Sequence, residues 1–222
     1  MKVQKSTGEE KMQKKIYKIM ILLFLVPAMC HATVIEIGFA GLVDSVDDSY
    51  NLLEGNVSVG NIITGFYVYD SETPDSTPEL IWNGLYQHTT VPYGMSLTIG
   101  EITFQTDTAD VDFVVWIEND FDGTIKDGYR VTSYNNLPLN DLYIDRLSWF
   151  LDDYSGDAIS SIELPDTPPD LSAWQSNNLI INGFSSSEGF KINGHVDSVW
   201  LVPEPTTLLL LGLGGLLLRK RS

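Results

Sequence analysis

Short apolar or alternating segments recur along the middle of the chain, and each is ended by Gly, Asn, Asp, Ser or Pro. Alternation with a period of two is typical of half-buried strands, and residues that break it are typical of turns. The candidate strands are TVIEIGFAGLV, IITGFYVYD, SLTIGEITFQT, VDFVVWIEN, GYRVTSYN, LYIDRLSWFLD, LIINGF and GFKINGHVDSVWLV. This pattern predicts an all-β domain, an antiparallel β-sandwich of jelly-roll type.

The last of these segments alternates most clearly. Its apolar residues share one face and its polar residues share the other: Phe190, Ile192, Val196, Trp200 and Val202 against Lys191, Asn193, His195 and Asp197. The pattern predicts an antiparallel strand with one buried face, on which Trp200 lies. The segment VDFVVWI is apolar on both faces, which predicts a central strand.

The N-terminal segment has the pattern of a secretory signal. Four lysines between positions 11 and 18 precede the apolar stretch IMILLFLVPAMCHA. A basic stretch, an apolar run and small residues predict a signal peptide over 1–32, forming a helix and cut by signal peptidase after Ala32. Met12 is an alternative start. Acylation of Cys30, as in a lipoprotein, is a second interpretation, although the bulky Met29 precedes the cysteine.

The C-terminal segment is apolar and ends in basic residues. The 13 residues of 206–218 carry no charge. As a helix they would be roughly 20 Å long, and a bilayer core is about 30 Å thick. The run therefore predicts a short hydrophobic helix that is marginal as a permanent span. A helix packed on the domain is the alternative, but the run lacks the polar stripe of a surface helix.

The two ends together resemble those of PEP-CTERM proteins of Gram-negative bacteria. The motif residues are Val202, Pro203, Glu204 and Pro205, followed after the apolar run by Arg219, Lys220 and Arg221. The resemblance implies recognition by a membrane-embedded exosortase and sorting to the cell surface or extracellular matrix. It divides the chain into a signal peptide (1–32), a β-sandwich domain (33–201) and a sorting segment (202–222). Two further stretches, 65–79 and 150–174, look like segments of other PEP-CTERM proteins and imply a shared β fold.

Charge and cysteine content exclude several classes of function. Of the 30 acidic residues, three lie outside the domain, so the domain has 27 against four basic residues, a net charge of −23. Nucleic acid is excluded as a partner, because phosphate binding needs a basic surface. The one cysteine lies in the signal peptide, so the mature domain has no disulfide or thiol chemistry.

The segment ENDFDGTIKDG contains the best candidate for a metal site. Glu118, Asp120 and Asp122 with Gly123 match the first half of a calcium loop, where alternate carboxylates converge on one ion. The twelfth position is Tyr129 rather than an acid, so the EF-hand interpretation fails. An acidic hairpin turn is the favoured alternative. We therefore expect no required cofactor, and calcium is the one candidate cofactor.

Aromatic residues offer the other candidate site. Trp82, Tyr86 and Tyr93 lie in the turn-rich segment IWNGLYQHTTVPYG, and exposed rings there would stack on sugars of an exopolysaccharide. The alternative places the rings in the core. The sequence contains no catalytic motif. The favoured interpretation is therefore a non-catalytic structural or interaction protein, with a carbohydrate-binding module and a glycan-active hydrolase as alternatives.

Overall fold

The computed structural model describes residues 34–120, 126–186 and 188–203. In these residues the chain is all-β, as predicted, with one short 3₁₀ helix at Leu171–Ala173. The ten strands are β1 (Val34–Asp47), β2 (Ile62–Asp70), β3 (Asn83–His88), β4 (Gly94–Ile99), β5 (Ile102–Gln105), β6 (Phe113–Glu118), β7 (Asp127–Ser133), β8 (Tyr143–Asp153), β9 (Ser176–Ser185) and β10 (Glu188–Leu201). The predicted flanking helices lie outside the described residues.

All ten strands belong to one antiparallel sheet, in the order β3-β6-β7-β8-β9-β10-β1-β2-β4-β5. The sheet curls, so that its two halves face each other across the core. The rings of Phe39 in β1 and Trp149 in β8 lie 6.1 Å apart, and Thr106 Oγ1, just after β5, lies 2.7 Å from Ser133 Oγ in β7. The architecture is a curled half-barrel, and the predicted jelly-roll sandwich of two sheets is not confirmed.

The curl follows from the two longest strands, β1 and β10, which pair with each other along most of their length. Their register shifts twice, between Ala40 and Gly41 and between Val43 and Ser45. A β-bulge bends a strand and increases its twist. The β1–β10 pair can therefore bend and stay hydrogen-bonded, whereas a sandwich would divide the strands between two separate sheets. Alternation in the sequence predicts which face is buried, but not whether the facing strands belong to one sheet or two.

Two strands differ from the predicted set. The segment SLTIGEITFQT forms both β4 and β5, because Gly100 adopts a positive φ of 60° and turns the chain. Strand β3 was predicted as turn-rich sequence. It pairs with β6 over its whole length, although Gly84 supplies no side chain at an inward position and Tyr86 is the only apolar side chain of β3 that is buried.

The connection between β8 and β9, residues 154–175, packs across the open side of the core. The hydroxyl of Tyr69 donates a hydrogen bond to the Pro165 carbonyl at 2.6 Å, and that of Tyr86 donates to the Ile162 carbonyl at 2.8 Å. Its apolar side chains that pack on the core are Ile159, Leu164, Leu171 and Trp174. This segment, which we call the strap, therefore closes the half-barrel on the side of β2 and β3.

Candidate functional site

Trp200 lies on the outer face of the sheet, so its predicted burial is wrong. Ala40 pairs with Ser198, but Gly41 pairs with Val196, which leaves Asp197 as an extra residue in β10. A bulge of one residue reverses the inward and outward positions that follow it. Val199 consequently packs against the core, and Trp200 is 45 % exposed.

The indole of Trp200 lies directly over Gly38. A Cβ atom at Gly38 would come within 2.7 Å of the indole Cζ2 atom, so only a glycine in β1 accommodates the ring in this position. On the other side of Gly38, in register with it, is Phe66 in β2, which is 42 % exposed. Two exposed rings therefore flank one glycine on the outer face of the sheet.

The aromatic residues predicted as a carbohydrate site have different environments. Tyr86 is only 6 % exposed, and burial raises the pKa of its hydroxyl to about 12. Tyr93 is half-buried and its hydroxyl lies 3.2 Å from Asp70 Oδ2, while Trp82 is half-buried beside β3. The ring of Tyr86 belongs to the core, so these three residues do not present three exposed rings to a sugar.

The predicted calcium residues lie at the end of the β6–β7 hairpin. Glu118 is the last residue of β6, Asp120 has a positive φ of 53°, and Asp122 lies outside the described residues. The backbone N–H of Asp120 donates to Asp127 Oδ1 at 3.2 Å, as in a tight acidic turn. Within the described ranges, no three acidic or histidine side chains are grouped as metal ligands. Calcium binding by these residues stays a prediction.

A cation lies between two rings on the outer face beside this hairpin. The guanidinium of Arg130 lies 5.2 Å from the ring centre of Trp116 and 5.5 Å from that of Phe150. One step along the strands, Lys126 Nζ lies 2.7 Å from Asp152 Oδ1. Burial raises the pKa of Glu118, and Lys126 and Arg130 partly offset that effect. Cations and rings here stabilise the surface of β6, β7 and β8 by cation–π contact and ion pairing.

Two buried carboxylates at the ends of β7 and β8 connect the sheet to the loops around it. Asp127 accepts hydrogen bonds from the backbone N–H groups of Asp120 and Ile159, the latter in the strap. Asp153 accepts from Ser155 and from the N–H of Asp157. Burial raises the pKa of Asp153, but these hydrogen bonds outweigh it and the net shift is downward. Both carboxylates therefore accept hydrogen bonds from backbone N–H groups and hold the neighbouring loops in place.

The two histidines of the domain have opposite environments. His88 Nε2 accepts a hydrogen bond from the Asp70 backbone N–H at 3.1 Å, and burial lowers the pKa of the ring. His195 lies on the outer face of β10. Its Nδ1 is 2.8 Å from Asp44 Oδ1 in β1, and its Nε2 is 3.2 Å from Asp197 Oδ1. The hydrogen bond to Asp44 is the largest cause of a raised pKa at His195.

The predicted sorting residues begin directly after β10. The N–H of Val202 donates to the Glu36 carbonyl at 2.9 Å, and Pro203 is exposed. Glu204, Pro205, Arg219, Lys220 and Arg221 lie outside the described residues. In the part of the chain that the structure describes, none of the helices has the length and hydropathy needed to cross a membrane.

Comparison with known families identifies one segment. The model of the PEP-CTERM protein-sorting motif matches residues 201–222, which begin with the last residue of β10. No curated protein and no solved structure gives a match.

Proposed function

We propose that this chain, a PEP-CTERM domain-containing protein exported and sorted by an exosortase, presents its β domain as a non-catalytic structural and interaction module at the cell surface or in the extracellular matrix. The observation that carries the proposal is the position of the sorting motif. The match begins at Leu201, the last residue of β10, and Val202 is still hydrogen-bonded to β1. The folded domain therefore continues into the sorting segment without a linker, and processing of the tail delivers the domain itself.

The way the domain uses its carboxylates supports a non-catalytic role. Asp48 accepts hydrogen bonds from the N–H groups of Leu52 and Leu53, and Asp75 accepts from those of Thr77 and Leu85. Acidic side chains in turns commonly bind backbone N–H groups in this way. Together with Asp127 and Asp153 these acids hold loops in place, a role that needs no substrate. The glycan-hydrolase alternative has no comparable observation in its favour.

The sorting step is tested by Glu204→Ala in a host that carries the exosortase. We expect the variant to keep its untrimmed tail and to stay in the membrane fraction, whereas the wild type is trimmed and reaches the surface. Mass measurement of the C-terminus and digestion of intact cells with an added protease provide the two readouts. Glu79→Ala, an exposed acid in the loop after β2, is the matched control and should be sorted like the wild type.

Efficient trimming and surface delivery of Glu204→Ala would contradict the assignment of the motif as the sorting address. The non-catalytic role has its own test. Purified sorted protein should release no reducing ends from the polysaccharide of the producing cells. Sustained release of reducing ends by the wild type would instead favour the glycan hydrolase.

A further inference from the structure

The outer face of the sheet on the side of β5 contains a strip without charge. One row crosses five strands in register: Trp200, Gly38, Phe66, Ser96 and Gln105. Residues directly opposite each other in an antiparallel sheet point to the same face, so these five side-chain positions form one line. It runs from the start of the sorting segment to the β5 edge.

The adjacent row has the same character. It consists of Ser198, Ala40, Thr64, Thr98 and Thr103. The hydroxyl groups of Thr98 and Thr103 lie 3.0 Å apart and are exposed. In a domain with a net charge of −23, two neighbouring rows contain only aromatic, small and hydroxyl or amide side chains. We call these two rows the uncharged strip.

The first row of the strip contains two exposed rings, Trp200 and Phe66. The Trp200 indole extends over β1, where its Cζ2 atom lies within 2.7 Å of the position that a Cβ atom of Gly38 would take. The backbone of Phe66 lies two strands from that of Trp200, at roughly 10 Å by the spacing of paired strands. Gly38 leaves room in β1 for the indole, and Ala40 with the hydroxyl groups of the second row lies beside the two rings.

From this arrangement we propose that the uncharged strip binds an uncharged, flat polysaccharide chain, with Trp200 and Phe66 stacking on two of its sugar rings. Sugar rings present C–H groups on their faces and hydroxyl groups at their edges. Aromatic faces match the former, and the Thr, Ser and Gln side chains beside them match the latter. This inference depends on the proposed function, because it assigns a ligand to the module that the sorting motif delivers.

Charge decides between the possible occupants of this surface. A domain with 27 acidic and four basic residues repels anionic lipid headgroups, anionic polysaccharides and a second copy of itself. An uncharged glycan meets no such repulsion. Half of the ten residues of the strip carry a hydroxyl group, so the strip is also poorly suited to contact with lipid acyl chains.

The test uses the mature protein purified after sorting, with native gel electrophoresis through hydroxyethylcellulose as the neutral probe. We expect the polymer to retard the wild type. Trp200→Ala and Phe66→Ala should each lower the affinity for the polymer about tenfold, as expected when a stacked ring is lost. Tyr134→Ala is the matched control, because Tyr134 is 40 % exposed and lies outside the strip. This control should be retarded like the wild type.

Thermal melting of each variant separates binding from folding. If Trp200→Ala fails to fold because the indole packs on Gly38, Phe66→Ala decides the question. The proposal is overturned if the wild type is not retarded, or if folded Phe66→Ala is retarded equally. It is also overturned if the rings instead support binding to alginate, to phosphatidylcholine vesicles or to a second copy in sedimentation.

Failure of this inference is distinguishable from failure of the proposed function. Trp200→Ala and Phe66→Ala should reach the cell surface like the wild type, as measured by protease digestion of intact cells. Surface delivery without binding to the neutral probe overturns only the ligand. Loss of delivery in the wild type overturns the sorting premise.

Discussion

The hydroxyl groups of Tyr67 and Tyr129 lie 2.9 Å apart and form a hydrogen bond between β2 and β7 in the core. The two strands belong to opposite halves of the curled sheet. Burial raises the pKa of both hydroxyls well above the ordinary value, so both stay protonated and one donates to the other. The contact between Thr106 Oγ1 and Ser133 Oγ is another polar contact between the two halves.

Removing one member of this pair leaves the other hydroxyl buried without its partner. We expect Tyr67→Phe and Tyr129→Phe each to lower the free energy of unfolding by about 1–3 kcal/mol. The double variant should lose less than the sum of the two single losses, because it leaves neither hydroxyl unpaired. Urea unfolding of the four proteins measures the coupling, and strict additivity would contradict a hydrogen bond between the two hydroxyls.

The strap provides a second stability test. Tyr86→Ala should lower the free energy of unfolding by about 3–5 kcal/mol, the usual cost of truncating a large buried aromatic. Tyr86→Phe should cost about 1 kcal/mol, because it removes the hydrogen bond to the Ile162 carbonyl and keeps the ring. Tyr134→Ala serves as the exposed control in urea unfolding. Unchanged stability of Tyr86→Ala would contradict the placement of this ring in the core.

Local pattern in the sequence predicted the strands better than it predicted their arrangement. The buried face that the alternation predicts for β10 is correct from Phe190 to Val196, since each apolar residue there faces the core. This prediction fails at Trp200, because the bulge at Asp197 depends on the partner strand. A Cβ atom at Gly41 would lie 2.9 Å from Val196 Cα. The close approach of β1 to β10 beside the bulge therefore needs a glycine in β1, which is far from Asp197 in the sequence.

The candidate sites illustrate the same limit. The sorting motif was predicted correctly because its parts are contiguous in the chain. The uncharged strip was not predicted, because its first row brings together residues from five strands between Gly38 and Trp200. A signal for it exists only after register is known: outward positions on adjacent strands that all lack charge.

Calcium binding at the β6–β7 hairpin gives a further prediction. If Glu118, Asp120 and Asp122 bind the ion, millimolar calcium should raise the melting temperature more than sodium chloride of equal ionic strength. The double variant Glu118→Gln, Asp120→Asn should lose this difference, while Asp44→Asn on the distant β1–β10 surface should keep it. Equal melting temperatures of the wild type in the two salts would indicate charge screening alone and would contradict the predicted calcium site.

The contact of His195 with Asp44 and Asp197 predicts a dependence of stability on pH. The folded-state pKa of His195 is raised from the ordinary 6.5, so the folded protein binds this proton more tightly than the unfolded chain does. The stabilisation is fully present below about pH 6.5 and is lost as pH rises through the folded-state pKa. The His195 side chain is 34 % exposed, so we expect it to contribute less than about 1 kcal/mol to the free energy of unfolding.

Urea unfolding of the wild type and of His195→Gln, from pH 5 to pH 9, measures this contribution. The difference in stability between the two proteins should shrink as pH rises, and a difference that stays constant over this range would contradict a charged His195 between the two carboxylates.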